Sequence, residues 1–189
     1  MQRSLVGSEM CIRDRCKRGI GYIPSDRYKR AILPGFSLKD NYLLGNQYKD
    51  SYARKGMLNQ EYIEKKTKEL MEKFDVRAVN GDQLIGALSG GNQQKLVLSR
   101  EVDKDPDLIL ACQPVRGLDI GAIKFIHNVL LELRNQGKAV LLISAELSDL
   151  FQLSDRIGVL YKGEMMSLQE TEKYTTESIS LLMAGKKGV

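Results

Sequence analysis

Apolar runs broken by glycine and proline organise the chain from Lys17 onward. Gly19-Ile20-Gly21-Tyr22-Ile23 reads as a short strand stopped by Pro24. A polar stretch follows, and a helix begins near Ser37 with Asp40 in its first turn. Residues 59–75 carry Tyr62, Ile63, Leu70, Met71 and Phe74 on one side and lysines and glutamates on the other, which predicts an amphipathic helix. Leu88-Ser89-Gly90-Gly91 turns into a helix lasting to about Val102. Leu108 to Cys112 is a compact apolar strand. Gly121 to Asn135 is a helix closed by Gly137. Ala139 to Ser144 reads as a second buried strand, Glu146 to Leu153 as a short helix, and Ile157 to Tyr161 as a third strand turning at Lys162-Gly163. A last helix runs from about Thr176 to Ala184.

Strand, helix, strand, helix, strand over residues 108–161 predicts a parallel sheet with right-handed crossovers. Strands covered on both faces should be continuously apolar, as Leu108 to Cys112 and Val140 to Ile143 are. The region 37–87 reads as mostly helical. Residues 1–15 follow neither period. They look like translated adapter sequence and are excluded from the fold argument.

Composition narrows the function classes. No apolar run approaches the ~20 residues that a membrane-spanning helix needs. Cys11, Cys16 and Cys112 form neither an even disulfide framework nor a zinc spacing, which fits a reducing compartment. The net charge of +5 could attract nucleic acid, but the lysines and arginines are interspersed with acids. The single histidine, His127, lies mid-helix with no metal-ligand spacing and reads as a surface or packing residue. Tyr22, Tyr42, Tyr48, Tyr52 and Tyr62 cluster early and could stack on a nucleic-acid base, but are expected to pack the helical part.

Chemistry concentrates at Leu88-Ser89-Gly90-Gly91-Asn92-Gln93-Gln94. Two glycines let a ligand approach the backbone, the helix start offers free N–H groups and a positive dipole end, and Ser89 adds a hydroxyl. By itself, such a stretch is also a plain serine-capped helix start. The strand Leu108 to Cys112 follows at a short distance, then Gln113-Pro114-Val115-Arg116-Gly117-Leu118-Asp119, then Ser144-Ala145-Glu146-Leu147.

With these segments on the page, residues 17–162 resemble the ATP-binding cassette (ABC) ATPases. Leu88 to Gln94 is similar to the ABC signature motif. Its Asn-Gln-Gln form and the stretch Gly21-Tyr22-Ile23-Pro24-Ser25-Asp26-Arg27 resemble the second cassette of the tandem ATPases serving simple-sugar and nucleoside importers. Asp119 falls at the D-loop aspartate. The resemblance implies an α/β, P-loop NTPase-like ABC cassette fragment with a parallel sheet core and a helical signature subdomain. Residues 1–15 would be a leader and 16–36 the Q-loop-region strand and loop. Residues 37–105 would be the helical subdomain, 106–170 the parallel α/β core and 171–189 the C-terminal helix and tail.

Departures from the family pattern are equally informative. No G-x-x-x-x-G-K-[ST] occurs, so the phosphate-loop region is missing and is expected upstream of Lys17. The family's Asp-Glu pair after the signature falls on Cys112 and Gln113, its switch histidine on Ala145, and the Glu of the Q-loop segment on Ser25. A neutral amide is no general base, and a thiol is a poor ligand for Mg²⁺. The catalytic positions Cys112, Gln113 and Ala145 are therefore degenerate, and the fragment alone is expected to be inactive. Ser89, Gly90, Gly91, Asn92 and Gln93 would bind ATP in trans, with ATP and Mg²⁺ shared with the other cassette of the same full-length chain. Permease subunits are the implied membrane partners, the cytoplasmic face of the cell membrane the implied location, and nucleic acid is not expected as a partner. The sequence around Gln113 to Ile123, with Ser144 to Leu147, looks most like the nucleoside branch. An ABC-type ATPase acting on DNA or the ribosome is the alternative. The DNA class needs heptads and the Asp-Glu pair, which are missing, and the Asn-Gln-Gln form argues against the ribosomal class.

Overall fold

The structure, a computed structural model, describes residues 18–186. The adapter-like leader at 1–15 lies outside them, as do Cys11 and Cys16. The chain divides into two compact units between Leu141 and Leu142.

In the first unit, β1 (Ile20–Ile23) pairs in parallel with β4 (Leu108–Cys112), running from Ile20 opposite Leu108 to Ile23 opposite Ala111. Ile23, Ile109 and Ala111 are fully buried. The strand order is β1-β4-β5, with β5 at Ala139–Ile143. Between β1 and β4 lie the short α1 (Arg27–Arg30), α2 (Leu38–Leu43), α3 (Gln60–Lys73) and α4 (Gly90–Val102). Helix α2 starts in a capping box in which Ser37 and Asp40 satisfy each other's backbone N–H groups. The small antiparallel pair β2 (Ala53–Arg54) and β3 (Met57–Leu58) interrupts the region expected to be mostly helical. Lys55 and Gly56 turn it with positive φ, a tight reversal that left no apolar period to read. Helix α5 (Ile120–Asn135) follows β4 and buries Ile126, Leu130 and Leu133.

Helix α4 is the axis of this unit. Every residue from Gln93 to Glu101 is buried. Buried polar side chains need partners, and these find them at long range. Ser99 bonds Tyr42 Oη at 3.1 Å, and burial pushes that phenol up to about 12. Lys95 Nζ reaches Asp75 Oδ2 at 2.7 Å and lies 4.6 Å from the Phe125 ring centroid. Arg100 donates to the carbonyls of Asn41 at 2.9 Å and Ala31 at 2.8 Å, and to Glu101 Oε1 at 3.3 Å. Glu101 also accepts from Lys104 at 2.7 Å and from the Tyr22 N–H at 3.4 Å.

Two expectations fail here. Strand β5 is not buried: Leu141 and Ile143 are 54% and 49% exposed. Its apolar run suits a strand covered on both faces, but among the described residues the face carrying these side chains is uncovered. The third strand, β6 (Arg156–Tyr161), does not extend the parallel sheet. In the second unit it pairs antiparallel with β7 (Glu164–Glu170), a strand the apolar pattern did not reveal. Lys162 and Gly163, both at positive φ, close a two-residue hairpin, and β6 buries alternate residues. Ile157 and Val159 on β6 pack with Tyr174 and with Ile179 of α7 (Thr176–Met183), alongside Leu150 and Phe151 of α6 (Leu147–Leu153).

Candidate functional site

Ser89 is the N-cap of α4, in extended backbone conformation and exposed. Its Oγ accepts from Asn92 N at 3.4 Å and from Asn92 Nδ2 at 3.1 Å. A hydroxyl that accepts twice keeps its own hydrogen to donate outward. The first helical residues, Gly90 and Gly91, have N–H groups with no intrahelical acceptor by geometry. These donors and the dipole end form a cradle for an anion, with no acidic side chain in the first turn to oppose it.

Both glycines have close neighbours. An ideal Cβ on Gly90 would lie 2.6 Å from Arg27 Nη2, and one on Gly91 would lie 3.0 Å from Ala122 Cβ and 3.1 Å from Asp119 Oδ2. The structure thus brings Asp119 to the cradle. Asp119 N-caps α5 by accepting from Ala122 N at 2.9 Å, and this bond holds its carboxyl below the usual carboxylate range.

The approach to Ser89 is set by the turn at Ile85–Ala87. Gly86 N donates to Pro34 O at 3.1 Å, and a Cβ on Gly86 would come within 2.8 Å of that oxygen. Backbone cannot yield as a side-chain tip can. Gly86→Ala should therefore destabilise the protein by about 1–3 kcal/mol, read as a lower urea midpoint with an unchanged slope.

Gln93, expected to bind ATP in trans, is occupied by protein partners instead of facing outward. It is 0% exposed. The two hydrogens of its Nε2 are shared among Tyr28 Oη at 2.9 Å, Leu88 O at 3.1 Å and Ile85 O at 3.2 Å, and its Oε1 accepts from Arg27 Nε at 3.1 Å. Gln93 anchors the turn, and Arg27 is the neighbour that sequence reasoning quoted within a longer segment without singling out. Asn92 is partly committed as well, since its Oδ1 accepts from Arg77 N at 2.9 Å.

Cys112 ends β4 half-buried, and Gln113 follows at φ 49. Neither supplies a carboxylate. In the second unit Ala145 is exposed, and the adjacent Ser144 Oγ bonds Asp149 Oδ2 at 3.1 Å and accepts from Glu146 N at 3.0 Å. No group of three or more His, Cys, Asp or Glu able to hold a metal ion occurs among the described residues. The α4 cradle is donor-rich and fits a triphosphate. The Cys112-Gln113 pair does not fit Mg²⁺ or water activation. His127 is buried in α5. No helix among the described residues is long and apolar enough to cross a membrane.

No family model matches the chain. It is 45% identical over 167 residues to the guanosine import ATP-binding protein NupO of Bacillus subtilis, covering 88% of this chain and 33% of that protein. It is 39% identical over 169 residues to the nucleoside import ATP-binding protein NupA of Lactococcus lactis, covering 89% and 33%. A ribose import ATP-binding protein, RbsA of Bacillus cereus, is 33% identical over 172 residues, covering 91% and 34%. The chain thus spans about a third of the length of the curated relatives it matches. Among solved structures, the ATP-binding cassette MJ0796, as a dimer in a post-hydrolysis state bound to ADP and Pi, superposes with a TM-score of 0.69 at 23% identity, covering 86% of this chain and 66% of that one. A second dimeric structure of that bacterial ABC transporter cassette gives 0.68. That likeness establishes the fold. With identities of 33–45% to importer ATP-binding proteins across nine-tenths of the sequence, the chain belongs to the ABC ATP-binding family.

Proposed function

We propose that this segment serves an ABC importer by completing, in trans, an ATP site whose phosphate loop belongs to a sister cassette. Ser89 Oγ and the N–H groups of Gly90 and Gly91 would bind the terminal phosphate. ATP bound there closes the two cassettes, and its hydrolysis releases them. The segment's own half-site, at Cys112 and Gln113, holds no carboxylate to position Mg²⁺ or polarise water and does not turn over. The observation that carries the reading is this asymmetry: an exposed, donor-ready cradle at Ser89 beside a strand end stripped of acids.

The sister cassette would lie in the same full-length polypeptide, with permease subunits as the membrane partners and the cytoplasmic face of the membrane as the location. The imported solutes would be nucleosides in preference to simple sugars. Support comes from the identities of 45% and 39% to guanosine and nucleoside importers, against 33% to a ribose importer. The test is ATP turnover by the full-length protein carrying Ser89→Arg. Loss of turnover is the expected result, and turnover at the parent rate removes the reading.

A further inference from the structure

Arg27 stands beside the start of α4 without a carboxylate to pair it. Asp26 N-caps the single turn of α1 by accepting from Lys29 N, which places Arg27 first in that helix. Its Nε is held by Gln93 Oε1 at 3.1 Å, and its guanidinium carbon lies 5.5 Å from the Tyr28 ring centroid. Nη2 lies so close to Gly90 that a Cβ there would meet it at 2.6 Å. A side chain at position 90 would push the guanidinium out of this place. Among the described residues no carboxylate pairs with Arg27, and Nη1 and Nη2 donate to no protein acceptor. The start of α4 is already a positive dipole end with no acid in its first turn. The Asp119 carboxylate beside Gly91 is held by Ala122 N and makes no ion pair with Arg27, so the outer edge of the guanidinium stays open to an incoming anion.

We propose, on the trans-acting reading of Ser89 given above, that Arg27 is a phosphate-binding residue of the same site. It presents Nη1 and Nη2 to the terminal phosphate of the sister cassette's nucleotide. Gln93, tied to Tyr28, Ile85 and Leu88, sets the angle of the guanidinium through Nε. A planar fork held at one edge suits two oxygens of a phosphate. Arg27 thereby supplies a cation that a signature of serine and glycines lacks.

The experiment is steady-state ATPase kinetics of the full-length protein at low and high salt, with Arg27→Gln, Arg27→Lys and Ser89→Arg. Arg27→Gln should raise KM for ATP about tenfold, the loss expected from one charge-assisted hydrogen bond. It should lower kcat much less and flatten the dependence of KM on salt. Arg27→Lys should recover most of the affinity and the salt dependence. If Arg27→Gln keeps the parent KM and salt dependence while Ser89→Arg still abolishes turnover, the Arg27 role is overturned and the trans reading stands. If Ser89→Arg turns over at the parent rate, both fall. Should Arg27→Gln not accumulate as folded protein, Arg27→Met decides: a KM raised about tenfold with a flattened salt dependence supports the contact, and a parent-like KM and salt dependence overturn it.

Discussion

Replacing Arg100 with leucine is expected to lower the stability of this protein by about 3 kcal/mol, the low end of the range seen when one partner of a buried ion pair is removed. The side chains of Arg100 and Glu101 are 7% and 8% exposed. Three things are lost together. The carbonyls of Ala31 and Asn41 lose charged donors, and Glu101 loses a cation inside the fold. Water does not reach these groups freely, so each keeps its desolvation cost without its bond. Glu101 retains Lys104 at 2.7 Å, which places the effect below that of a fully stranded carboxylate. Lysine is a poor replacement at position 100, because one ammonium cannot satisfy two carbonyls and a carboxylate in the directions that a guanidinium fork reaches. Urea unfolding of the full-length protein, followed by loss of helical signal, measures the shift. Lys29→Ala is the matched control. That lysine is 83% exposed and 3.8 Å from Asp26, and its removal should leave the midpoint unchanged. A midpoint for Arg100→Leu equal to that of Lys29→Ala would contradict the role given to this network.

This network was invisible in the amino-acid order, whereas the elements it joins were not. Leu108 to Cys112, Gly121 to Asn135 and Ser89 onward were legible because apolar continuity, glycine punctuation and a serine cap act within one stretch of chain. The links from Arg100 to Ala31 and Asn41 span 69 and 59 positions, and nothing local marks them. Gln93 shows the same limit. Its place in a signature-like run suggested a ligand, and nothing in that run marks the buried bonds it makes to Arg27 and Tyr28, more than sixty residues away. Strand β7 escaped notice because Glu164-Met165-Met166-Ser167-Leu168-Gln169-Glu170 has no clean alternation. Its pairing is imposed by the hairpin turn and by a register shift between Val159 and Leu160. Strand β5 was misjudged for the opposite reason. Its composition suits a covered face, and cover is a tertiary property that composition only anticipates.

Ser89→Arg should lower ATP turnover of the full-length protein about 100-fold or more, while Gln113→Ala leaves it within about threefold; the first figure is the scale for losing a preorganised donor at a developing charge. The pair is the sharp test of asymmetry, because on the trans-acting reading the two residues belong to different nucleotide sites. Arginine at position 89 removes the hydroxyl whose hydrogen is free. Its bulk also fills the space in front of the Gly90 and Gly91 N–H groups, where the Arg27 and Asp119 side chains already crowd the glycines. The sister nucleotide then meets a blocked cradle. At Gln113 there is no carboxylate to lose, so truncation removes no base and no metal ligand. An active Ser89→Arg protein would mean that the cradle meets no reacting phosphate. A Gln113→Ala protein with turnover reduced as far as Ser89→Arg would mean that the segment's own half-site works after all, with the amide in a role that the missing acids conceal. Only loss at position 89 with tolerance at position 113 fits one productive ATP per pair of cassettes, read from a helix start on one and a phosphate loop on the other.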